Sequence, residues 1–269
     1  MDKLIFLGTG HALAYHCYST CVALTDDTHY FMTDGGSGNG VLLQMERAGI
    51  SPDQITDLFI SHRHTDHLIG VIWLVRVIGH TFDRSGRTTP LTLYGEASVL
   101  DTLRTCCELL VSGSVAAHFD KEIIFHPVKD GETCTIGPWP VTFFDTGAAK
   151  TVQYGWRAQL TNGESCVFLG DEPLTDTGLR TAQGAEHIIH EAMCLSSDAD
   201  KYQPHRIHHS TVADAAENAA KAGAKHLILF HGEDVDLDTR KARYIDEARQ
   251  HFNGRIDAPD DLDVIALTE

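Results

Sequence analysis

The stretch Ser61-His62-Arg63-His64-Thr65-Asp66-His67 decides how this chain is read. It follows an apolar run at 57–60 that reads as a short strand. It precedes a mostly apolar run at 67–78 that reads as a buried helix. His62 and His64 are two apart, so on extended backbone their side chains point the same way. Asp66 and His67 fall on the turn into the helix. Imidazole and carboxylate donors packed this closely suit zinc, iron or manganese. The plain alternative is a polar loop with incidental histidines, and three histidines with an aspartate at this spacing make it the weaker reading.

The composition frames that site. The chain has 269 residues, 42% hydrophobic and 22% charged, which is the profile of a folded globular protein. Lys+Arg number 21 against 38 Asp+Glu, a formal charge of −17. No global field draws polyanions to such a chain, so long nucleic acid would need a local basic patch. The 17 histidines are the anomaly, histidine being the commonest metal ligand and the usual acid–base group near neutral pH. The 7 cysteines are odd in number, irregularly spaced and free of any CxxC, as expected of thiols in a reducing compartment. The apolar runs at 4–7 and 68–78 are too short to cross a membrane, so the expected location is cytoplasmic.

Strands are expected at 3–7, 20–24, 30–33, 57–60 and 91–94, with helices at 38–48, 67–78 and 96–111. From 123 to 169 short strands follow one another, at 123–128, 133–136, 141–144, 154–160 and 166–169. Turns at Asp130-Gly131 and Asn162-Gly163 punctuate them as hairpin signals. Alternation then resumes, with strands around 188–189, at 226–230 and at 264–267, and helices at 212–222 and 239–250. Pattern alone supports an α/β chain with mixed sheets. No linker divides it, so residues 1–269 are expected to form a single domain.

The pattern HxHxDH resembles the signature of the metallo-β-lactamase superfamily. Further segments are similar to motifs of its ribonuclease Z-like branch: Phe6-Leu7-Gly8-Thr9-Gly10, Thr33-Asp34-Gly35-Gly36, Leu169-Gly170-Asp171, His190-Glu191-Ala192, His209-Ser210-Thr211 and Phe230-His231. They run in order from residue 6 to residue 231. The resemblance implies a four-layer αββα sandwich of two mixed sheets with helices outside. It implies two divalent ions, zinc first, with manganese or iron as alternatives. His62 and His64 would hold one ion, Asp66, His67 and His231 the other, with Asp171 between them and Asp34 supporting the ligand loop. The activity implied is hydrolysis by a metal-activated water. Asp66 would orient that water, and His209, oriented by Glu191, would stabilise charge or donate a proton to a leaving oxygen. A carboxylate partner would also favour the protonated form of His209. Taken alone, His209 would read as a surface neighbour of the helix cap at Thr211. A metal-dependent hydrolase and a homodimer are what relatives of this branch imply.

Two departures shape the functional expectation. The family has one more ligand histidine before a Tyr-Gly-Tyr-Arg-like strand, here Tyr154-Gly155-Trp156-Arg157, and the preceding stretch from Asp145 to Thr151 holds none. Asp145, His80 or His126 could substitute, or Lys150 could place a positive charge in the space. The tRNA-processing members carry a long basic, glycine-rich arm, but from Lys150 to Asp171 there is room for only two strands. A small-molecule phosphodiester is therefore expected as substrate, and tRNA or long nucleic acid is disfavoured. The alternatives are a ligand-depleted member that binds a small anion or metal with little turnover, and an ester, sulfate or lactone hydrolase.

Overall fold

The computed structural model describes residues 1–268. Along the chain its strands are β1 (Lys3–Gly8), β2 (Cys21–Thr25), β3 (Tyr30–Thr33), β4 (Asp57–Ile60), β5 (Leu91–Gly95), β6 (Ile123–Pro127), β7 (Thr133–Ile136), β8 (Trp139–Asp145), β9 (Tyr154–Gln159), β10 (Ser165–Phe168), β11 (His187–Glu191), β12 (His226–Phe230), β13 (Arg255–Asp257) and β14 (Val264–Ala266). The helices are α1 (Gly40–Arg47), α2 (Thr65–Arg84), α3 (Ala97–Leu110), α4 (Gly113–Ala116), α5 (Asp176–Ala182), α6 (Ala199–Tyr202), α7 (Val212–Ala222) and α8 (Leu237–Ala248).

The strands form two seven-stranded sheets, ordered β14-β1-β2-β3-β4-β5-β6 and β13-β12-β11-β10-β9-β8-β7. Both are mixed. β3 to β6 and β10 to β13 pair in parallel, and the remaining pairs are antiparallel.

Strand periodicity explains the layering. In β1, Leu4 and Phe6 face the second sheet while Ile5 and Leu7 face helices, so both faces are apolar. β4 divides in the same way, with Phe59 between the sheets and Leu58 and Ile60 beneath the helices. In β12, Ile228 and Phe230 point inward while Leu227 and Leu229 pack under α7 and α8. The result is the expected four-layer αββα sandwich. Trp139 and Trp156 are fully buried between the sheets, and Trp156 Nε1 donates to Thr33 Oγ1 at 2.9 Å across them. Trp73 is a rim residue, 39% exposed.

Some local expectations change. Asp130-Gly131 does not close a hairpin. β6 pairs in parallel with β5 while β7 pairs with β8, so the chain changes sheets at this turn. Asn162-Gly163 does join an antiparallel pair, β9 and β10. The segment from Val115 to Phe125, which could have been a flap, is packed: Val115 is buried against Gly79, and Phe119 and Ile123 join the core. Helix α2 starts at Thr65 and runs on to Arg84, beyond the expected 67–78.

One close approach positions the site. Gly35 N donates to His67 O and Gly70 N donates to Gly36 O, both at 2.8 Å. A Cβ on Gly70 would lie 1.7 Å from Gly35 O. Only glycine lets α2 dock its first two turns on this loop. The run 35–40 is thus a docking turn, its carbonyls at Gly35 and Gly38 accepting from Tyr18 OH. Gly70→Ala is expected to destabilise the protein by about 1–3 kcal/mol, read as a lowered urea midpoint, because the rigid helix must shift to admit one methyl.

Candidate metal centre

The histidine-rich stretch leaves the carboxyl end of β4, and Asp171, Glu191 and His231 leave or end β10, β11 and β12. Each sheet therefore delivers its donors from the ends of its parallel strands, where open α/β sheets gather ligands. Asp66, His67, Asp171 and His231 are buried and converge. His67 Nε2 lies 3.2 Å from Asp66 Oδ2 and 3.4 Å from Asp171 Oδ2, and His231 Nε2 lies 3.4 Å from both carboxylates. Donors around one tetrahedral ion with ligand bonds near 2.0–2.2 Å sit about 3.3–3.6 Å apart, so this set fits one divalent ion. His67 Nε2 has no hydrogen-bond partner despite complete burial, as a ligand atom awaiting a cation should. His62, His64 and Asp171 form a second set sharing Asp171. His62 Nε2 lies 2.9 Å from His64 Nδ1 and 3.6 Å from Asp171 Oδ1.

Asp34 sets the protons of two of these ligands. It is fully buried at the end of β3, in the left-handed region at φ 59°. Its Oδ1 accepts from Ser61 N at 2.8 Å, and its Oδ2 accepts from Ser61 Oγ and His67 Nδ1, both at 2.7 Å. His67 therefore carries its proton on Nδ1 and keeps the Nε2 lone pair for the site. Ser61 spends its own proton on Asp34, so its Oγ, 3.0 Å away, accepts from His62 Nδ1. That frees His62 Nε2 in turn.

The charges are complementary. Burial opposes ionisation of Asp66, but His67 and His231 outweigh it and hold the carboxyl far below the usual range. Asp171 is likewise held down, against burial, by His62, His67 and His231. Burial lowers His62, His64 and His231, which keeps them neutral and able to coordinate. His67 is raised because Asp66, Asp34 and Asp171 together overcome its burial.

No histidine fills the expected gap near Ala148-Thr151. Asp145 turns back to Gly147 N at 2.8 Å, and His126 lies on β6 beside Glu132, so neither joins the donors; His80 lies on α2, outside both sets. Instead buried Gln153 donates to Asp171 Oδ1 and lies 3.2 Å from His62 Nδ1. Nothing in the sequence marked Gln153. Lys150 does reach the site: its Nζ lies 3.2 Å from His209 Nε2, and its backbone N donates to Glu172. An open cleft of about 550 Å³ is lined by Arg63, His64, Asp66, Lys150, His209 and His231.

His209 and Glu191 come together, Nδ1 to Oε2, at 3.5 Å, with Ser210 N donating to the other Glu191 oxygen. The Thr211 side chain caps α7, so the capping reading and the site reading both hold for this segment. His205 pairs with Asp214 on the surface, and His208 is exposed. The protonation expected of His209 is reversed: burial, reinforced by Lys150, pulls it down to about 4. Burial pushes Glu191 up to about 7. His11, directly after the Gly8-Thr9-Gly10 run, is a neighbour that sequence reasoning missed. It is buried, 3.2 Å from Glu233 and 6.2 Å between ring centroids from His231.

The sequence profile of the β-lactamase superfamily domain matches residues 29–232. The chain is 36% identical to a protein of Methanococcus aeolicus named ribonuclease Z, covering 93% of this chain and 88% of that one. It is 28% identical to a ribonuclease Z of Methanothermobacter thermautotrophicus, covering 97% and 95%. Among solved structures, the metallo-β-lactamase fold protein YhfI from Bacillus subtilis superposes with a TM-score of 0.78 at 18% identity over 98% of both chains. The short form of human tRNase Z does so with a TM-score of 0.74 at 22% identity over the full length of both. These two likenesses concern the fold.

The geometry predicts the effect of one substitution on ion binding. Asp34→Asn turns an acceptor toward His67 into a donor, and should weaken metal binding about 10–100-fold with the fold intact, measured by chelator competition alongside circular dichroism.

Proposed function

This chain belongs to the β-lactamase superfamily, in its ribonuclease Z-like branch, and we propose that it is a metal-dependent hydrolase acting on a small phosphodiester. The observation that carries the proposal is a pair of donor sets sharing Asp171 on the floor of one open cleft, with His209 and Lys150 on its wall. Asp66, His67, Asp171 and His231 would hold one divalent ion, and His62, His64 and Asp171 the other. Zinc suits this donor set best, with manganese or iron as alternatives. Bound there, such ions supply Lewis acidity to a hydrolytic water and to an anionic substrate oxygen.

The protein's own groups do the rest. Asp66, ionised and lining the cleft, orients the attacking water. Lys150 and Arg63 put positive charge on the wall, which favours a phosphate over a neutral ester. Glu191 orients His209, whose Nε2 shares a proton with the Lys150 ammonium. That pair faces the cleft and is placed to protonate a leaving oxygen. The stretch between Lys150 and Asp171 holds only β9, β10 and their turn, and the chain carries −17 charges. Both favour a compact substrate over a long RNA. RNA cleavage is the second reading, favoured by the ribonuclease Z name of relatives at 28% and 36% identity. The proposal takes residues 1–269 as one functional unit, homodimeric and cytoplasmic. Among the described residues no helix is long and apolar enough to cross a membrane, and sedimentation tests the dimer at twice the chain mass.

Two measurements test this reading. Elemental mass spectrometry of protein purified without chelator should find at least two ions per chain, and of the two held in the cleft one should be lost first on dialysis against a weak chelator. The ion to go is that of the His62, His64 and Asp171 set, which has only three protein donors. A substrate panel of phosphodiesters, an aryl sulfate, a thioester, a lactone and a precursor tRNA should show turnover confined to the small phosphodiesters. Rapid tRNA cleavage would select the second reading, and no turnover with ions bound would leave a binding protein. On the preferred substrate, Asp66→Ala and His209→Ala should each lower kcat by about 10²–10⁴ with unchanged circular dichroism. Lys150→Met should lower kcat, as half of the proton-donating pair, and also raise KM for anionic substrates.

A further inference from the structure

A second convergence of donors lies where the chain passes from one sheet to the other. His126 is on β6, the edge of the first sheet, and Cys134 is on β7, the edge of the second. Glu132 ends the turn between them. His126 Nε2 lies 3.2 Å from Glu132 Oε1, and Cys134 Sγ lies 3.9 Å from that nitrogen and 4.0 Å from that oxygen. All three residues are half-buried.

Each donor is aimed by a contact outside the cluster. The His126 ring packs on Tyr94, its neighbour across the β5–β6 pair, with ring centroids 5.4 Å apart. Tyr94 OH is in turn tied to Asp57 Oδ1 at 3.0 Å. Glu132 spends Oε2 on Lys129 N at 3.0 Å, which leaves Oε1 facing the imidazole and the thiol. Cys134 packs its other side on the core between the sheets.

We propose that His126, Glu132 and Cys134 bind a divalent cation of the zinc class, which clamps the edges of the two sheets together. Thiolate with imidazole selects zinc, cobalt or copper over magnesium or calcium, and one carboxylate does not change that order. Around such an ion, nitrogen and oxygen donors would be about 3.3 Å apart and sulfur about 3.6 Å from each, so the observed set closes by a few tenths of an ångström. On binding, the Cys134 thiol proton leaves to solvent and the sulfur coordinates as thiolate, with no change of oxidation state. Water completes the coordination on the exposed side. The site is independent of the cleft, whose proposed donors are all nitrogen or oxygen.

That difference gives the test. The full chain, stripped with chelator and dialysed, is titrated with cobalt(II) while the near-ultraviolet thiolate-to-cobalt charge-transfer band is followed. The band should rise to saturation, vanish in Cys134→Ser and persist in Asp66→Ala, which perturbs only the cleft. His126→Ala should weaken it, so the conclusion does not hang on one variant, and circular dichroism checks that each is folded. Zinc should bleach the band, and should raise the thermal midpoint of Asp66→Ala more than that of Asp66→Ala with Cys134→Ser. No band at cobalt saturation, or one unchanged by Cys134→Ser, overturns the proposal, whatever the hydrolytic assays show.

Discussion

One buried carboxylate organises the centre of this molecule. Asp34 accepts from Ser61 N, Ser61 Oγ and His67 Nδ1, and through Ser61 it reaches His62 as well. It thereby fixes the entry of the ligand loop and the tautomers of two imidazoles. A charge in such a place is costly unless it is well hydrogen-bonded, and here both oxygens have donors, three in all. Asp34 also occupies a left-handed backbone conformation that few residues with side chains adopt. His231, at φ 59°, is a second such residue among the donors. Both strained positions lie where geometry at the site outweighs local preference.

The fold supplies the surroundings that make this constraint effective. Parallel strands of each sheet end at the same edge of the sandwich, so donors far apart in sequence meet without any long excursion of chain. The glycines at 35 and 70 bring the first two turns of α2 onto the Asp34 loop, carrying Asp66 and His67 with them. On the facing side, Gln153 and Lys150 occupy the neighbourhood where the resemblance leads one to expect another ligand. There Gln153 donates to Asp171, and Lys150 sets a cation beside His209. The same crossing between sheets that ends β6 and begins β7 assembles the donors of the second cluster.

Much of this was legible in residues 61–67. Their spacing is local, and strand and helix periodicities carry local spacing directly into geometry. The strands 30–33, 57–60, 133–136 and 226–230 and the helix 212–222 emerged with the bounds expected, because β-branched and apolar runs bracketed by turns leave few alternatives. The motif order also named Asp34, Asp171, Glu191, His209 and His231; Asp171, His209 and His231 line one cleft, with Asp34 and Glu191 buried behind His67 and His209. Where the reading failed, the deciding interaction was remote. Asp130-Gly131 has the chemistry of a hairpin turn, yet β5 and β8 capture its two flanking strands for different sheets. Glu191 and His209 are an ordinary carboxylate–imidazole pair on paper, and only burial beside Lys150 drives the proton off the imidazole. Gln153, His11 and the meeting of His126 with Glu132 and Cys134 had no local signal, because each depends on which strand ends and edges are neighbours in space. The chemical identity of the donors was determined by the sequence alone. Their protonation, their partners and the open side they present were decided by tertiary structure, since desolvation and long-range pairing exist only once the two sheets have closed on each other.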